Sequence, residues 1–109
     1  MATLSDPLRL EILNLLQANP QMSQRELAEA MGVSLGKANY CLRALMEKGL
    51  VKLQNFRRNP DKRHYAYLLT KAGVEEKTHI TRAFLRRKVA EYEALREEIE
   101  KLRGNLTSG

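Results

Sequence analysis

The feature that most limits what this chain can fold into lies between residues 23 and 49, where two serine-capped helix starts stand eleven residues apart. Ser23-Gln24-Arg25-Glu26 is a capping box, in which the serine hydroxyl and the glutamate carboxylate each serve a free backbone N–H of the first turn. Gly32 breaks that helix, Gly32-Val33-Ser34 leaves only a tight turn, and Ser34 opens the next helix. The second helix runs over 34–48 with Ala38, Leu42 and Leu45 as its buried stripe and Cys41 beside them, and Gly49 ends it. A short helix, a sharp turn and a longer helix with one apolar face make a helix-turn-helix, with Val33 plugging the space between the two.

The flanking residues complete a small domain. A first helix begins at Ser5 or Asp6, with Pro7 in its first turn, and buries Leu8, Ile12, Leu15 and Leu16 until Asn19-Pro20 stops it. Leu27, Ala28 and Met31 face inward from the helix that follows. Residues 50–54 and 65–69 read as two short strands, and Asn59-Pro60-Asp61 supplies turn chemistry between them, so the pair forms a hairpin. Thr70 caps a long last helix reaching about Arg103, with Gly73 its one weak point early on. The expected fold class is mainly α with a small β-hairpin: a winged helix-turn-helix over 5–70, a C-terminal dimerisation helix over 71–103 and a flexible tail over 104–109.

Charge is concentrated rather than spread. The chain of 109 residues has a formal net charge of +6 and a pI near 9.7. Residues 55–88 alone hold ten basic side chains against three acidic ones. Arg57, Arg58, Lys62 and Arg63 crowd around the single acid Asp61 on the hairpin loop, an arrangement whose self-repulsion a polyanion would relieve. On the helix over 34–48, setting aside the buried stripe leaves Ser34, Leu35, Gly36, Lys37, Asn39, Tyr40 and Arg43 outward. In a major groove Asn39 would read adenine, Lys37 would reach guanine or phosphate, and Gly36 would allow close approach. Tyr40 and Arg43 suit phosphate contacts, which set register without reading sequence. An ordinary amphipathic helix with a solvated polar face would look the same in isolation; the basic loop that follows favours double-stranded DNA.

Other function classes find little support. Cys41 is the only cysteine, which rules out an intrachain disulfide and fits a reducing, cytoplasmic setting. The stretch Met1-Ala2-Thr3-Leu4-Ser5-Asp6 has no leader character, and no run approaches the ~18 apolar residues of a membrane span. His64 and His79 lack partners at ligand spacing, so neither metal nor cofactor is expected. Glu75-Glu76 and Glu97-Glu98 lie on an exposed helix and are poor acid–base candidates, so the chain reads as non-enzymatic. The aromatic platforms that bind single-stranded RNA are missing.

From Ser23 to Leu69 the sequence resembles the winged-helix domain of MarR-type transcriptional regulators. The motifs that carry the likeness are Glu26-Leu27-Ala28, Gly32-Val33-Ser34, Leu42, Leu45-Met46-Glu47-Lys48-Gly49-Leu50-Val51 and Asp61-Lys62-Arg63. Leu68-Leu69-Thr70-Lys71-Ala72-Gly73 resembles the strand-to-helix junction of that family. The resemblance implies that Leu35, Gly36, Lys37, Asn39, Tyr40 and Arg43 lie on a recognition helix and that Arg63 probes the minor groove. Size and the one long last helix look most like the small subgroup associated with exopolysaccharide gene clusters. No effector pocket carries over, and the sequence names no small-molecule effector.

The last helix reads as a pairing device. With Leu85 at heptad position a, the seam is Leu85, Lys88, Tyr92, Leu95, Ile99 and Leu102, apolar apart from Lys88. Glu91 and Glu98 fall at g, and Arg96 and Arg103 at e. A parallel homodimer matches Glu91 with Arg96 and Glu98 with Arg103 across the pair, whereas an antiparallel one sets like charges together. Such a dimer would meet a pseudo-palindromic operator with both recognition helices, and repression by occluding a promoter is the simplest mechanism. The competing reading is a protein-interaction winged-helix module whose coiled coil recruits a partner chain.

Overall fold

In the computed structural model, residues 4–55 and 65–107 are described. Their order is α1 (Asp6–Ala18), α2 (Gln24–Met31), α3 (Leu35–Glu47), β1 (Val51–Asn55), β2 (Tyr65–Leu69) and α4 (Lys71–Thr107). The chain divides into two compact units, Met1–His79 and Ile80–Gly109.

Each helix of the first unit starts where a side-chain acceptor meets a free N–H. Ser5 caps α1 by accepting from Leu8 N. The capping box of α2 is complete: Glu26 N donates to Ser23 Oγ at 3.0 Å and Ser23 N to Glu26 Oε1 at 3.2 Å. Ser34 accepts from Lys37 N at 3.1 Å to open α3. Gly32 and Gly49 take left-handed φ values of 68° and 74°, the conformation that lets the chain turn out of α2 and α3.

The core of this unit is Ile12, Leu13 and Leu16 from α1, Leu27 from α2, Cys41, Leu42 and Leu45 from α3, and Leu50, Val51 and Tyr67 from the hairpin. Each fully buried aliphatic side chain contributes about 1.5–3 kcal/mol relative to exposure. Leu13 lies outside the expected stripe of α1 yet is fully buried, while Leu8 and Leu15 are only partly so. The helix turns a wider face inward than Leu8, Ile12, Leu15 and Leu16 imply, because elements pack on two of its sides.

β1 and β2 pair antiparallel in register Val51↔Leu69 through Asn55↔Tyr65. The first strand begins one residue later than 50–54 implies. Leu50 N donates to Leu45 O, closing the end of α3, so Leu50 belongs to the helix stop rather than the ladder. Its carbonyl accepts instead from Thr70 N at 3.0 Å. Thr70 caps α4 as expected, its Oγ1 accepting from Gly73 N at 3.0 Å while its hydroxyl donates to the Gly49 carbonyl. Gly73 is no weak point: a Cβ there would lie 2.0 Å from the Leu50 carbonyl oxygen, so the strand-to-helix junction closes only over glycine.

The described residues of the second unit are all helical and belong to α4. This helix passes the expected end at Arg103 and continues through Gly104 to Thr107, which corrects the tail expected over 104–109 for its first four residues. Leu106 falls four residues after Leu102, so the apolar spacing continues across the glycine and the cost of one exposed helical glycine, about 1 kcal/mol, does not end the helix. No helix among the described residues is long and apolar enough to cross a membrane.

Candidate nucleic-acid interface

The packing of α3 decides which of its side chains are available. Ala38, Cys41, Leu42 and Leu45 are buried, with exposures between 0 and 1%, so the opposite side of the helix is turned outward. Leu35 and Tyr40 are each 47% exposed, and Ser34, Gly36, Lys37 and Arg43 are exposed beside them. Lys37 Nζ sits 5.7 Å from the centroid of the Tyr40 ring, a cation–π contact one turn long on the helix surface. Lys37 and Arg43 are the charged residues of this face as far as its last turn, where exposed Glu47 follows Arg43 by four residues; no acid occurs from Ala30 to Met46. The face is therefore cationic from Ser34 to Met46.

Asn39 is placed differently from the rest. It is half-buried, and its Nδ2 donates to Gln24 Oε1 at 2.9 Å. Gln24 Nε2 in turn donates to the Tyr67 hydroxyl at 3.2 Å. A directional chain of hydrogen bonds thus joins α3, the first residue of α2 and the middle of β2. The backbone reinforces it, since Tyr67 N donates to Pro20 O at 2.8 Å in the segment leading to α2. Gln24 has no counterpart in the sequence reading, because no local pattern reports a contact between residues 43 apart.

Of the basic loop, Arg57, Arg58, Lys62 and Arg63, together with His64, lie outside the described residues. His79 is exposed on α4, and no group of three or more His, Cys, Asp or Glu is placed to hold a metal among the described residues. Cys41 is fully buried behind α3; burial pushes its thiol pKa up, opposed in part by the positive charge of Lys37. A protonated, enclosed thiol is a core side chain.

On the second unit the expected seam lies uncovered. Leu85, Tyr92, Leu95, Ile99 and Leu102 are between 40% and 64% exposed, and Leu106 extends the stripe at 86%. Lys88, the one charged seam residue, is paired along its own helix with Glu91 at 3.3 Å.

Comparison with known proteins agrees with this geometry. Residues 5–52 match the family model described as winged helix-turn-helix DNA-binding. A MepR mutant of Staphylococcus aureus superposes with a TM-score of 0.72 at 24% identity, covering 97% of this chain and 77% of that one. A Staphylococcus aureus MepR–DNA complex gives 0.64 at 25% identity, with 92% and 75% covered. A Staphylococcus aureus MarR bound to salicylate and kanamycin gives 0.64 at 21%, with 78% of this chain and 55% of that one covered, so the present chain spans little more than half of it. No curated protein matches the chain. The chain is a winged helix-turn-helix protein with the fold of the MarR-type regulators.

Proposed function

We propose that this protein is a sequence-specific, double-stranded DNA-binding regulator of transcription that acts as a dimer, without enzymatic activity, in the cytoplasm. The observation that carries the proposal is the outward face of α3, cationic and free of acids as far as Met46, inside a domain that matches a DNA-binding winged helix. A helix of this width fits the major groove of B-form DNA, and α2 braces it from behind. Lys37, Asn39 and the Gly36 backbone would lie nearest the base edges. Ser34, Leu35, Tyr40 and Arg43 would flank the phosphates or the thymine methyl groups. The basic loop with Arg57, Arg58, Lys62 and Arg63 would act as the wing, with Arg63 entering the minor groove. A complex of the structurally similar MepR with DNA supports the mode of binding.

Dimerisation rests on the uncovered stripe of α4. Large apolar side chains at Leu85, Tyr92, Leu95, Ile99 and Leu102 recur at heptad spacing and are exposed in the single chain. A parallel pair covers them and joins Glu91 and Glu98 to Arg96 and Arg103. Two domains so joined would occupy a pseudo-palindromic operator, and repression follows from occlusion of a promoter.

Fluorescence anisotropy with the duplex upstream of the protein's own gene and with an unrelated duplex tests the proposal. Tighter binding to the upstream duplex that weakens steeply with salt is expected of an autoregulating dimer. Absence of binding to any duplex at low salt would overturn it.

A further inference from the structure

The hydrogen-bond chain from Asn39 through Gln24 to Tyr67 has a consequence for what Asn39 can read. A carboxamide has one accepting and one donating end, and rotation by half a turn exchanges them with little change of shape. A solvated asparagine on a recognition helix can therefore present either end to a base. Here the hydrogen bonds behind the helix hold one of the two orientations. Asn39 Nδ2 is committed to Gln24 Oε1, and Gln24 is itself held by donating Nε2 to the Tyr67 hydroxyl. Tyr67 is 6% exposed, and its backbone is fixed by the bond to Pro20 O, so the anchor of the chain is part of the core. The end of Asn39 that no described residue engages is the acceptor Oδ1.

We infer that Gln24 is a specificity-positioning residue: by holding Asn39 with Oδ1 toward the groove, it makes this helix select a base carrying an exocyclic amine. In the major groove adenine offers N6–H and cytosine N4–H, whereas guanine O6 and thymine O4 are acceptors and would face Oδ1 with like polarity. Gln24 itself touches no base. Its effect passes through Asn39, and Tyr67 anchors the chain on the wing strand by accepting from Gln24 Nε2. The inference rests on the DNA-binding reading given above.

The test is selection of duplexes from a randomised pool by the wild type and by Gln24→Leu, Gln24→Glu and Asn39→Ala, with affinities of the recovered duplexes measured against salt. Asn39→Ala identifies the base position that Asn39 meets. At that position the wild type should prefer adenine or cytosine by roughly tenfold or more. Gln24→Leu fills the same space but can neither accept nor donate, so the preference should collapse toward unity while the other positions and the salt slope stay as they were. Gln24→Glu still accepts from Asn39 Nδ2 and can receive the Tyr67 proton, so it should weaken binding to all duplexes yet keep the preference.

An unchanged preference in Gln24→Leu, or a wild-type preference for guanine or thymine there, would overturn the inference with DNA binding intact. A wild type that enriches no duplex would instead overturn the DNA-binding reading. Circular dichroism of each variant separates loss of fold from loss of selectivity.

Discussion

Replacing Gly73 by alanine reverses the usual effect of that substitution in a helix. In an unconstrained helical site Gly→Ala stabilises by about 0.5–1 kcal/mol, because alanine loses less backbone entropy and shields the helix better. At Gly73 the new Cβ would lie 2.0 Å from the Leu50 carbonyl oxygen and 3.0 Å from its carbon, where ordinary contact begins at 3.4 Å. Both atoms are backbone, so no side-chain rotation relieves the clash. The same carbonyl accepts from Thr70 N, and the neighbouring Gly49 carbonyl accepts from the Thr70 hydroxyl, so moving the junction strains the cap of α4 as well. Overpacking of this kind costs about 1–3 kcal/mol and loss of one backbone hydrogen bond about 1 kcal/mol more. Subtracting the helix-propensity gain leaves a net loss of about 1–3 kcal/mol. For a domain of this size that lowers Tm by about 5–20 °C. Gly104→Ala is the internal control: it lies on α4 with nothing within 4 Å of the added carbon and should hold or raise Tm. Thermal melts followed by far-ultraviolet circular dichroism, at one fixed chain concentration because association shifts Tm, decide the matter. A Gly73→Ala variant as stable as the wild type would refute the close approach of α4 to Leu50.

Further outcomes follow from the same geometry. Ser23→Ala removes one half of the capping box of α2 and should destabilise the domain by about 1 kcal/mol, read from urea denaturation midpoints. Cys41, whose thiol pKa is raised by burial, should resist iodoacetamide at neutral pH until the protein is unfolded. Because the folded chain then holds this proton when the unfolded chain has lost it, stability should fall as pH rises past the ordinary thiol range, and Cys41→Ala should remove that part of the slope. Leu95→Asp alters a side chain that is 55% exposed in the single chain, so the monomer should keep its helicity while sedimentation equilibrium shows the dimer lost.

The elements that the sequence announces are those whose signals are local. Ser5, Ser23, Ser34 and Thr70 each act within three residues of themselves, and Gly32 and Gly49 each decide one turn, so the helix starts and the stops of α1 to α3 were legible to within a residue or so, whereas α4 runs four residues past the expected end at Arg103. The buried side of α3 was legible for the same reason, since one period of 3.6 separates Ala38, Leu42 and Leu45 from Lys37, Tyr40 and Arg43. What the sequence hides is set by distant pairings. Leu50 reads as a strand residue until its N–H is found closing α3 and its carbonyl meeting Thr70. Gly73 reads as a defect until the Leu50 carbonyl is found beside it. Asn39 looks like a free polar side chain, and only the approach of β2 to the start of α2 brings Gln24 and Tyr67 into line behind it.

The central claim, that the outward face of α3 lies against the phosphates and bases of a duplex, is tested most directly by the double substitution Lys37→Ala and Arg43→Ala. Both side chains are exposed, and removing them leaves the core of α3 untouched. Anisotropy of a labelled duplex titrated across a salt series gives the slope of log K against log salt, and each phosphate contact contributes about 0.9 to it. If α3 docks as proposed, the double variant binds more weakly to every duplex and its slope is shallower by up to about 2. An unchanged affinity and slope, in a variant with wild-type circular dichroism, would contradict it.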